Sequence, residues 1–334
     1  MDKYRIDSHK LMYHPQRVAD WLDDRPIYPI HVEISLSNHC NHRCIFCCYD
    51  YKKYDFKFFE SFKLYELLEE FKRLGVKSVM FAGDGEPLLH PEIYEIVKHA
   101  YHMALDVGIQ TNGSVYFNPD MLKYLKWIKF SVDAAYSSTH RKLHRRNDFE
   151  DIVSNIKSYI KYKKRMKLNC TIGVQMLLLK DNLEEVDDFC NMFKDVDYIV
   201  LKPFSKHPEM LNEVNDIDEK DIAYLDDKYQ YTDKIIVRYD TYKDIHTSCP
   251  YDECYGLNFI CYIDAYGDVY PCNGFIGLRK YLYGNLYGSN SFEDIWMNRP
   301  VFKFNSKCRK GCRMDRLNRY LYRLKYPEEH DNFI

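Results

Sequence analysis

Three cysteines near the start of the chain limit what it can fold into more than any other feature of the sequence. Cys40, Cys44 and Cys47 form the pattern Cys-x-x-x-Cys-x-x-Cys and follow a short β-like run at residues 32–36. Iron–sulfur clusters are normally held by four cysteines, so a three-cysteine loop leaves one iron of a four-iron cluster open to another ligand. An open iron on a redox cluster indicates a site of chemistry.

A structural zinc site is the alternative interpretation of the same loop. Zinc takes four closed ligands, and Cys48, His39 or His42 could supply the fourth. Short zinc motifs usually come as two Cys-x-x-Cys halves, and the sequence has no second half close by. The spacing therefore favours an iron–sulfur cluster and leaves zinc as the second interpretation.

Length and composition set the limits of the remaining interpretation. A chain of 334 residues with 46% hydrophobic residues can bury a sizeable core in about two domains. The sequence has no run of the ~18 apolar residues that a membrane span needs, and its start lacks the apolar stretch of a signal peptide. Twelve cysteines without an export signal predict a reducing, cytoplasmic location and metal binding rather than disulfides. The net charge of −2 gives no argument for nucleic acid.

Strand and helix patterns alternate from residue 30 to about 205. Apolar residues at helical spacing predict helices at 64–74, 93–100, 149–164 and 187–193. Buried or alternating runs predict strands at 32–36, 76–82, 106–110, 127–132, 168–178 and 198–201. Repeated strand–helix units imply parallel strands with right-handed crossovers. The chain is therefore predicted to form an α/β fold, a partial (β/α)6 TIM-like barrel with its site at the carboxyl ends of the strands.

Polar residues follow or end several of these predicted strands, on the same side as the cysteine loop. They are Gly83, Asp84, Gly85, Glu86, Ser131, Asp133, Arg145 and Gln175. Ser131 and Asp133 alternate on the fourth strand, so their side chains have the same facing. Each feature also has a structural explanation: the glycine loop as a simple turn, Ser131 and Asp133 as helix caps, and Gln175 as a residue between core side chains.

The cysteine loop, with Phe46 before the third cysteine, resembles the radical S-adenosylmethionine (radical SAM) superfamily. The resemblance implies a partial barrel, a [4Fe-4S] cluster on the three cysteines, and SAM at the open iron. The loop at 83–86 is similar to the family's Gly-Gly-Glu-type motif, which holds the amino group of the methionine part of SAM. One departure is Asp84, which stands where a second glycine is often found.

The resemblance also implies roles for three other positions. The Ser-x-Asp pattern of Ser131 and Asp133 is similar to that of the family and implies hydrogen bonds to the ribose of SAM. The segment at 143–149 resembles the one in which the family keeps an arginine near the SAM carboxylate. Arg145 is the predicted residue, with Arg146 in reserve.

A second group of cysteines lies beyond residue 245. Cys254, Gly267 and Cys272 give the spacing Cys-x12-Gly-x4-Cys, and further cysteines follow. This group resembles the SPASM extension of radical SAM enzymes, or its shortened Twitch form, which implies one auxiliary [4Fe-4S] cluster. The implied ligands are Cys254, Cys272, Cys308 and Cys312, with Cys261 as a possible replacement for Cys254. Zinc is again the alternative, because a sequence cannot separate the two metals at four thiolates.

The resemblance implies reductive cleavage of SAM to a 5′-deoxyadenosyl radical, which takes a hydrogen atom from the substrate. Oxidation, epimerisation and dehydration are all open as net reactions, and epimerisation needs a hydrogen donor, for which Cys249 is the candidate. An electron donor such as flavodoxin or ferredoxin is an expected partner. About thirty residues precede the first strand, so a small polar metabolite such as an amino sugar is expected, with a ribosomally made peptide as the alternative.

The predicted domain organisation follows these motifs. Residues 1–30 form an N-terminal extension, 31–205 the partial barrel, 206–248 a connecting segment and 249–334 the auxiliary cluster domain. A non-enzymatic iron–sulfur sensor or a zinc scaffold is the remote alternative to an enzyme, and it would leave the loop at 83–86 without a ligand.

Overall fold

Ten strands form one continuous sheet in the computed structural model, which describes residues 4, 9–52, 55–207, 209–300, 308 and 312–333. In spatial order they run β10-β9-β8-β1-β2-β3-β4-β5-β6-β7. All neighbours from β8 to β7 pair in parallel, whereas β8, β9 and β10 pair with each other antiparallel. The strands are β1 (His31–Ile34), β2 (Ser78–Phe81), β3 (Asp106–Thr111), β4 (Trp127–Ser131), β5 (Thr171–Leu178), β6 (Tyr198–Pro203), β7 (Ile235–Val237), β8 (Ile260–Ile263), β9 (Asp268–Tyr270) and β10 (Gly284–Asn285).

Ten α-helices accompany these strands in the described part of the chain. They are α1 (Pro15–Leu22), α2 (Ser61–Leu74), α3 (Ile93–His102), α4 (Ser137–His144), α5 (Phe149–Met166), α6 (Val186–Met192), α7 (Glu219–Tyr229), α8 (Tyr239–His246), α9 (Phe292–Met297) and α10 (Asp315–Lys325). None of the described helices combines the length and the apolar content that a membrane crossing requires.

The two faces of the parallel sheet have different chemistry. Alternate residues such as Val32, Phe81 and Phe130 pack with the apolar sides of α2, α3 and α5 in the main core. The residues between them face the other side, which is the lumen of the partial barrel. That lumen face carries polar groups, among them Glu33 and Lys129. The burial pattern therefore separates an apolar core from a polar cavity face.

The predicted fold class is confirmed: strand and helix alternate, and the first six strands pair in parallel in chain order. The structure adds strands at both edges of the predicted six. β7 extends the sheet beyond β6, and β8 joins the other edge, where Val32 lies opposite Cys261. The C-terminal hairpin thus continues the barrel sheet itself. The domain boundaries given above stay predictions, and residues 1–3 and 5–8 of the N-terminal extension lie outside the described residues.

Candidate functional site

The predicted cluster loop lies directly after β1, at the carboxyl end of the parallel strands. Burial, with Glu86 and Cys47 adding to it, raises the pKa of Cys40 to about 12. Burial, with the neighbouring Cys40 and Cys47, also raises the pKa of Cys44 well above its usual value. The three thiols therefore lie in one another's electrostatic field, where thiolates are costly without a metal. This donor set fits the four-iron cluster predicted from the sequence.

The candidate fourth zinc ligands make other contacts. His42 Nε2 lies 2.9 Å from Asp148 Oδ2, and the His39 ring stacks on Phe56 with 4.1 Å between the ring centroids. Cys48 packs in an aromatic cluster with Tyr49. Each of the three side chains therefore has a contact partner other than a metal ion.

Backbone geometry explains the glycines of the loop after β2. Gly83 has φ +146°, and a Cβ atom there would lie 2.0 Å from the Tyr262 hydroxyl. A Cβ atom at Gly85 would lie 2.1 Å from the carbonyl oxygen of Ser37. Since real atoms do not approach this closely, a side chain at either position would push the loop away from β8 or from the cysteine loop.

Glu86 ties three segments of the site together. Its Oε1 accepts hydrogen bonds from Leu88 N (3.0 Å) and from Thr111 Oγ1 (2.6 Å), and its Oε2 accepts one from Asn112 N (2.8 Å). The Glu86 amide donates to the carbonyl of His39 at 2.9 Å. Burial raises the pKa of Glu86 to about 7, although these hydrogen bonds oppose the shift. Its contact with SAM stays a prediction, and its described bonds join the loops after β1, β2 and β3.

Asp84, the departure from the family motif, is a buried anion with partners. Its Oδ1 accepts a 2.6 Å hydrogen bond from Ser35 Oγ, and its Oδ2 pairs with Lys52 Nζ at 2.5 Å. Lys52 Nζ also lies 3.8 Å from Asp264 Oδ2, on the turn after β8. The sequence reasoning missed Lys52, although its place five residues after Cys47 was a signal.

Polar side chains line the lumen face of β3, β4 and β5. Lys129 Nζ donates to Gln175 Oε1 at 2.8 Å, and Gln110 Nε2 donates to Ser131 Oγ at 3.4 Å. Gln175 therefore faces the lumen, as its interpretation as a site residue requires, and does not lie between core side chains. Burial lowers the pKa of Lys129 to about 8. Sequence reasoning missed Lys129, although it alternates with Ser131 on β4.

Asp133 is buried and held in the left-handed region at φ 59°. Its Oδ1 accepts a 2.6 Å hydrogen bond from Leu177 N, and its Oδ2 lies 3.3 Å from His144 Nε2. These contacts join the end of β4 to β5 and to α4. The predicted hydrogen bonds from Ser131 and Asp133 to a ribose stay predictions.

The predicted contact of Arg145, or of Arg146, with the SAM carboxylate stays a prediction. Arg145 is the C-cap of α4 with φ 56°, and both it and Arg146 are exposed. The buried residue at this helix end is His144, whose Nδ1 lies 3.2 Å from Cys44 Sγ. His144 therefore faces the cysteine loop, whereas both arginine side chains are open to solvent.

The four predicted auxiliary ligands are close enough to perturb one another. Burial, with Cys312 and Cys308 adding to it, raises the pKa of Cys254 to about 12. Burial, with Cys312 and Cys254, raises the pKa of Cys272 well above its usual value. Two N–H groups point at the sulfurs: Asn318 Nδ2 donates to Cys254 and Met314 N to Cys312, each at 3.3 Å. This set of thiols fits one auxiliary cluster.

Two other cysteines lie apart from this set of four. Cys261, the reserve ligand, is 1% exposed on β8 and packs in the main core, so the structure does not place it as a replacement for Cys254. Cys249 is exposed, and its Sγ lies 3.7 Å from Asp315 Oδ1 on α10. Its role as a hydrogen donor stays a prediction.

One ion pair links the barrel lumen to the auxiliary segment. Arg313, next to Cys312, donates to Glu33 Oε1 on β1. Burial would raise the pKa of Glu33, but Arg313 and His31 outweigh it and lower that pKa to about 2. The sequence reasoning did not identify this pair, whose members are 280 positions apart.

Comparisons with known proteins agree with this geometry. Residues 34–193 match the family profile of the radical SAM superfamily, and residues 254–315 match that of SPASM, an iron–sulfur cluster-binding domain. The chain belongs to the radical SAM superfamily and carries a C-terminal SPASM domain. SAM and a [4Fe-4S] cluster are therefore its cofactors, together with auxiliary iron–sulfur cluster binding in the C-terminal domain.

Three similar proteins illustrate the range of the family. The mycofactocin maturase MftC of Mycobacterium ulcerans is 23% identical over 295 residues, which cover 82% of this chain and 76% of that protein. An S-adenosylmethionine-dependent nucleotide dehydratase of Flammeovirga pacifica is 31% identical over 203 residues, which cover 56% of this chain and 66% of that protein. The crystal structure of Streptococcus suis SuiB bound to precursor peptide SuiA has a TM-score of 0.69 at 16% identity. The match covers 95% of this chain and 78% of SuiB. At that identity the likeness to SuiB shows the fold alone.

Proposed function

We propose that this radical SAM enzyme modifies a ribosomally made peptide. The observation that carries the proposal is the similarity to a mycofactocin maturase across both the barrel and the auxiliary domain, 82% of this chain. The fold shared with SuiB, a protein whose structure was solved with a precursor peptide, supports the same substrate class. This choice replaces the small polar metabolite that the sequence alone favoured.

The residues of the site divide the work between cofactor and substrate. Cys40, Cys44 and Cys47 hold the cluster, and the loop at 83–86 receives SAM against the cysteine loop. When bound, the cluster and SAM supply a 5′-deoxyadenosyl radical, which can remove a hydrogen atom from an unactivated carbon. Everything else that the reaction needs is positioning, and it comes from the chain.

The lumen face provides that positioning. Lys129 and Gln175 form a hydrogen-bonded pair on neighbouring strands, and the Glu33–Arg313 pair closes the side toward the auxiliary segment. Fixed polar groups in a cavity of this kind orient one residue of a substrate and hold a single C–H bond near the reacting carbon.

The auxiliary domain and an external reductant complete the electron transfer. Cys254, Cys272, Cys308 and Cys312 would hold an auxiliary cluster, which would supply an electron acceptor for the substrate, so the net reaction would be an oxidation. A flavodoxin or ferredoxin would be the electron donor for the SAM-site cluster. The exposed position of Cys249 favours this oxidation over epimerisation, because a hydrogen donor has to lie beside the substrate.

The test uses short peptides encoded next to the gene. Reconstituted, anaerobically reduced protein is incubated with SAM and each synthetic peptide, and the products are measured by mass spectrometry. We expect a peptide two hydrogens lighter, and deuterium passing from labelled peptide into 5′-deoxyadenosine. The proposal fails if no peptide changes mass while SAM is cleaved with a small metabolite as the hydrogen source.

A nucleotide or other small metabolite is the second candidate substrate. The nucleotide dehydratase of F. pacifica has the higher identity of the two sequence relatives, 31%, but over 56% of this chain. The same incubation with nucleotides or amino sugars in place of peptides tests this candidate. Substrate-dependent formation of 5′-deoxyadenosine with one of them would favour it.

A further inference from the structure

A buried group of three histidines and two carboxylates lies directly behind the cysteine loop. His42, His140 and His144 are each at most 2% exposed, and Asp133 and Asp148 lie beside them. Three imidazoles are an unusual use of buried space, since each has to find hydrogen-bond partners. The proposed function makes no use of this group.

The hydrogen bonds of Asp148 determine which ring nitrogens carry protons. Its Oδ2 lies 2.9 Å from His42 Nε2, and its Oδ1 lies 2.9 Å from His140 Nε2. Burial would raise the pKa of Asp148, but the bonds to His140 and His42 outweigh it and hold that pKa far below its usual value. Asp148 is therefore an acceptor, and both histidines donate to it from Nε2.

This proton arrangement reaches the cysteine loop through His144. His144 Nδ1 lies 3.2 Å from Cys44 Sγ, and because a thiolate that binds a metal carries no proton, this nitrogen has to be the donor. The same Nδ1 lies 3.2 Å from His42 Nδ1, and His144 Nε2 lies 3.3 Å from Asp133 Oδ2. The loop is also pinned to this helix end by its backbone, since Ile45 N donates to Leu143 O at 2.9 Å. An N–H group from His144 thus points at the sulfur of a proposed cluster ligand.

A metal ion held by the three histidines is the competing explanation, since their ligand atoms lie within 4.8 Å of one another. The rings of His140 and His144 are stacked, with 4.4 Å between centroids and 14° between planes. An ion bonds in the plane of an imidazole, and two parallel planes at this spacing do not meet at one point. The stacking therefore favours a hydrogen-bonded network over a shared ion.

We propose that His144, oriented by the chain Asp148–His42, is a positioning residue that raises the reduction potential of the SAM-site cluster through an N–H···S hydrogen bond to Cys44. The proposal rests on the proposed ligand role of Cys44. Hydrogen bonds to cluster sulfurs and ligand thiolates stabilise the reduced, more negative state. His144 then makes the one-electron reduction that precedes SAM cleavage easier for a cytosolic donor.

The test compares two amides at one position. The amide nitrogen of asparagine reaches the place of a histidine Nδ1, whereas that of glutamine reaches the place of Nε2. His144→Asn therefore keeps a donor toward Cys44, while His144→Gln and His144→Phe remove it. Midpoint potentials are measured by EPR-monitored redox titration of the reconstituted protein without substrate, with the auxiliary cluster of the same sample as internal control.

We expect His144→Gln and His144→Phe to lower the equilibrium constant for reduction of the SAM-site cluster about tenfold. For a one-electron step this corresponds to a midpoint potential lower by ~59 mV. His144→Asn should stay close to the wild type, and the auxiliary cluster should not change. If the His144 variants fail to fold, Asp148→Ala, which removes both carboxylate acceptors, should shift the same potential in the same direction.

Three results would overturn the proposal. They are an unchanged SAM-site potential in the Gln and Phe variants, an equal shift of both clusters, and a stoichiometric non-iron metal lost on substitution of His140. Because no substrate is present, a failure here is distinct from a failure of the proposed peptide chemistry.

Discussion

The ion pair between Glu33, which is buried, and Arg313, whose side chain is 34% exposed, gives the prediction with the clearest magnitude. Glu33 is 2% exposed on β1, and its carboxylate stays ionised there because Arg313 and the more distant His31 compensate for burial. Arg313→Met leaves this carboxylate buried without its main partner. Breaking a fully buried ion pair from one side costs about 3–5 kcal/mol. Because water reaches part of the Arg313 side chain, we expect about half of that, ~2 kcal/mol. At ~2 °C per kcal/mol for a chain of this size, the unfolding midpoint should fall by ~4 °C.

The assay is thermal unfolding of the anaerobic holoprotein, with a surface pair as the matched control. Arg323 and Glu328 on and after α10 are each 70% exposed, so Arg323→Met should change the midpoint by no more than about 1–2 °C. The double variant Glu33→Leu/Arg313→Met should recover most of the loss, since no unpaired charge remains.

The pH dependence has a definite sign. In the wild type the pKa of Glu33 is lowered to about 2, so its stabilisation is present above its unfolded pKa and is lost only as pH falls toward 2. When Arg313 is absent, burial raises the pKa of Glu33. The loss of stability in Arg313→Met, relative to the wild type, should therefore shrink from about pH 8 to about pH 5 as the carboxylate takes up a proton. A loss of stability in Arg313→Met that equals the loss in Arg323→Met, or that grows as the pH falls, would refute the reasoning.

Two further predictions concern SAM and the auxiliary cluster. Glu86→Gln should weaken SAM binding about tenfold or more, as measured by calorimetry. The variant loses a charged acceptor, and its new NH2 group faces the Asn112 N–H. Because the pKa of Glu86 is about 7, the affinity of the wild type for SAM should rise as the pH increases through 7, whereas that of the variant should not change. Equal SAM affinities of the two proteins would show that the role of the loop at 83–86 is wrong. Cys254→Ala should lower the iron content by about four, whereas Cys261→Ala should leave it unchanged; the reverse result would make Cys261 the ligand.

The fold and the cluster loop could be predicted because their signals are local. Strand–helix alternation follows from the spacing of apolar residues, and the cysteine motif occupies eight consecutive positions, 40–47. Helix α4 was not predicted, since Ser137–His144 is largely polar and has little apolar period. Its buried side is formed by His140, Leu143 and His144, which tertiary contacts hold in place.

The missed parts of the site depend on long-range register. The pairing of β8 with β1 joins positions about 230 apart (Cys261 and Val32), and the contact of His144 with Cys44 depends on how α4 packs against the cysteine loop. Lys129 could have been found from its alternation with Ser131 on β4. The Glu33–Arg313 pair could not, because a buried ion pair has no local sequence signature.

Metal content and SAM cleavage in the triple variant Cys40→Ala/Cys44→Ala/Cys47→Ala test the central claim most directly. Anaerobically purified wild-type protein should carry about eight irons and form 5′-deoxyadenosine after reduction, since two four-iron clusters are expected. The triple variant should keep about four irons, all at the auxiliary cysteines, and form no 5′-deoxyadenosine. Zinc at either site in an iron-replete preparation, or SAM cleavage that persists in the triple variant, would contradict the account.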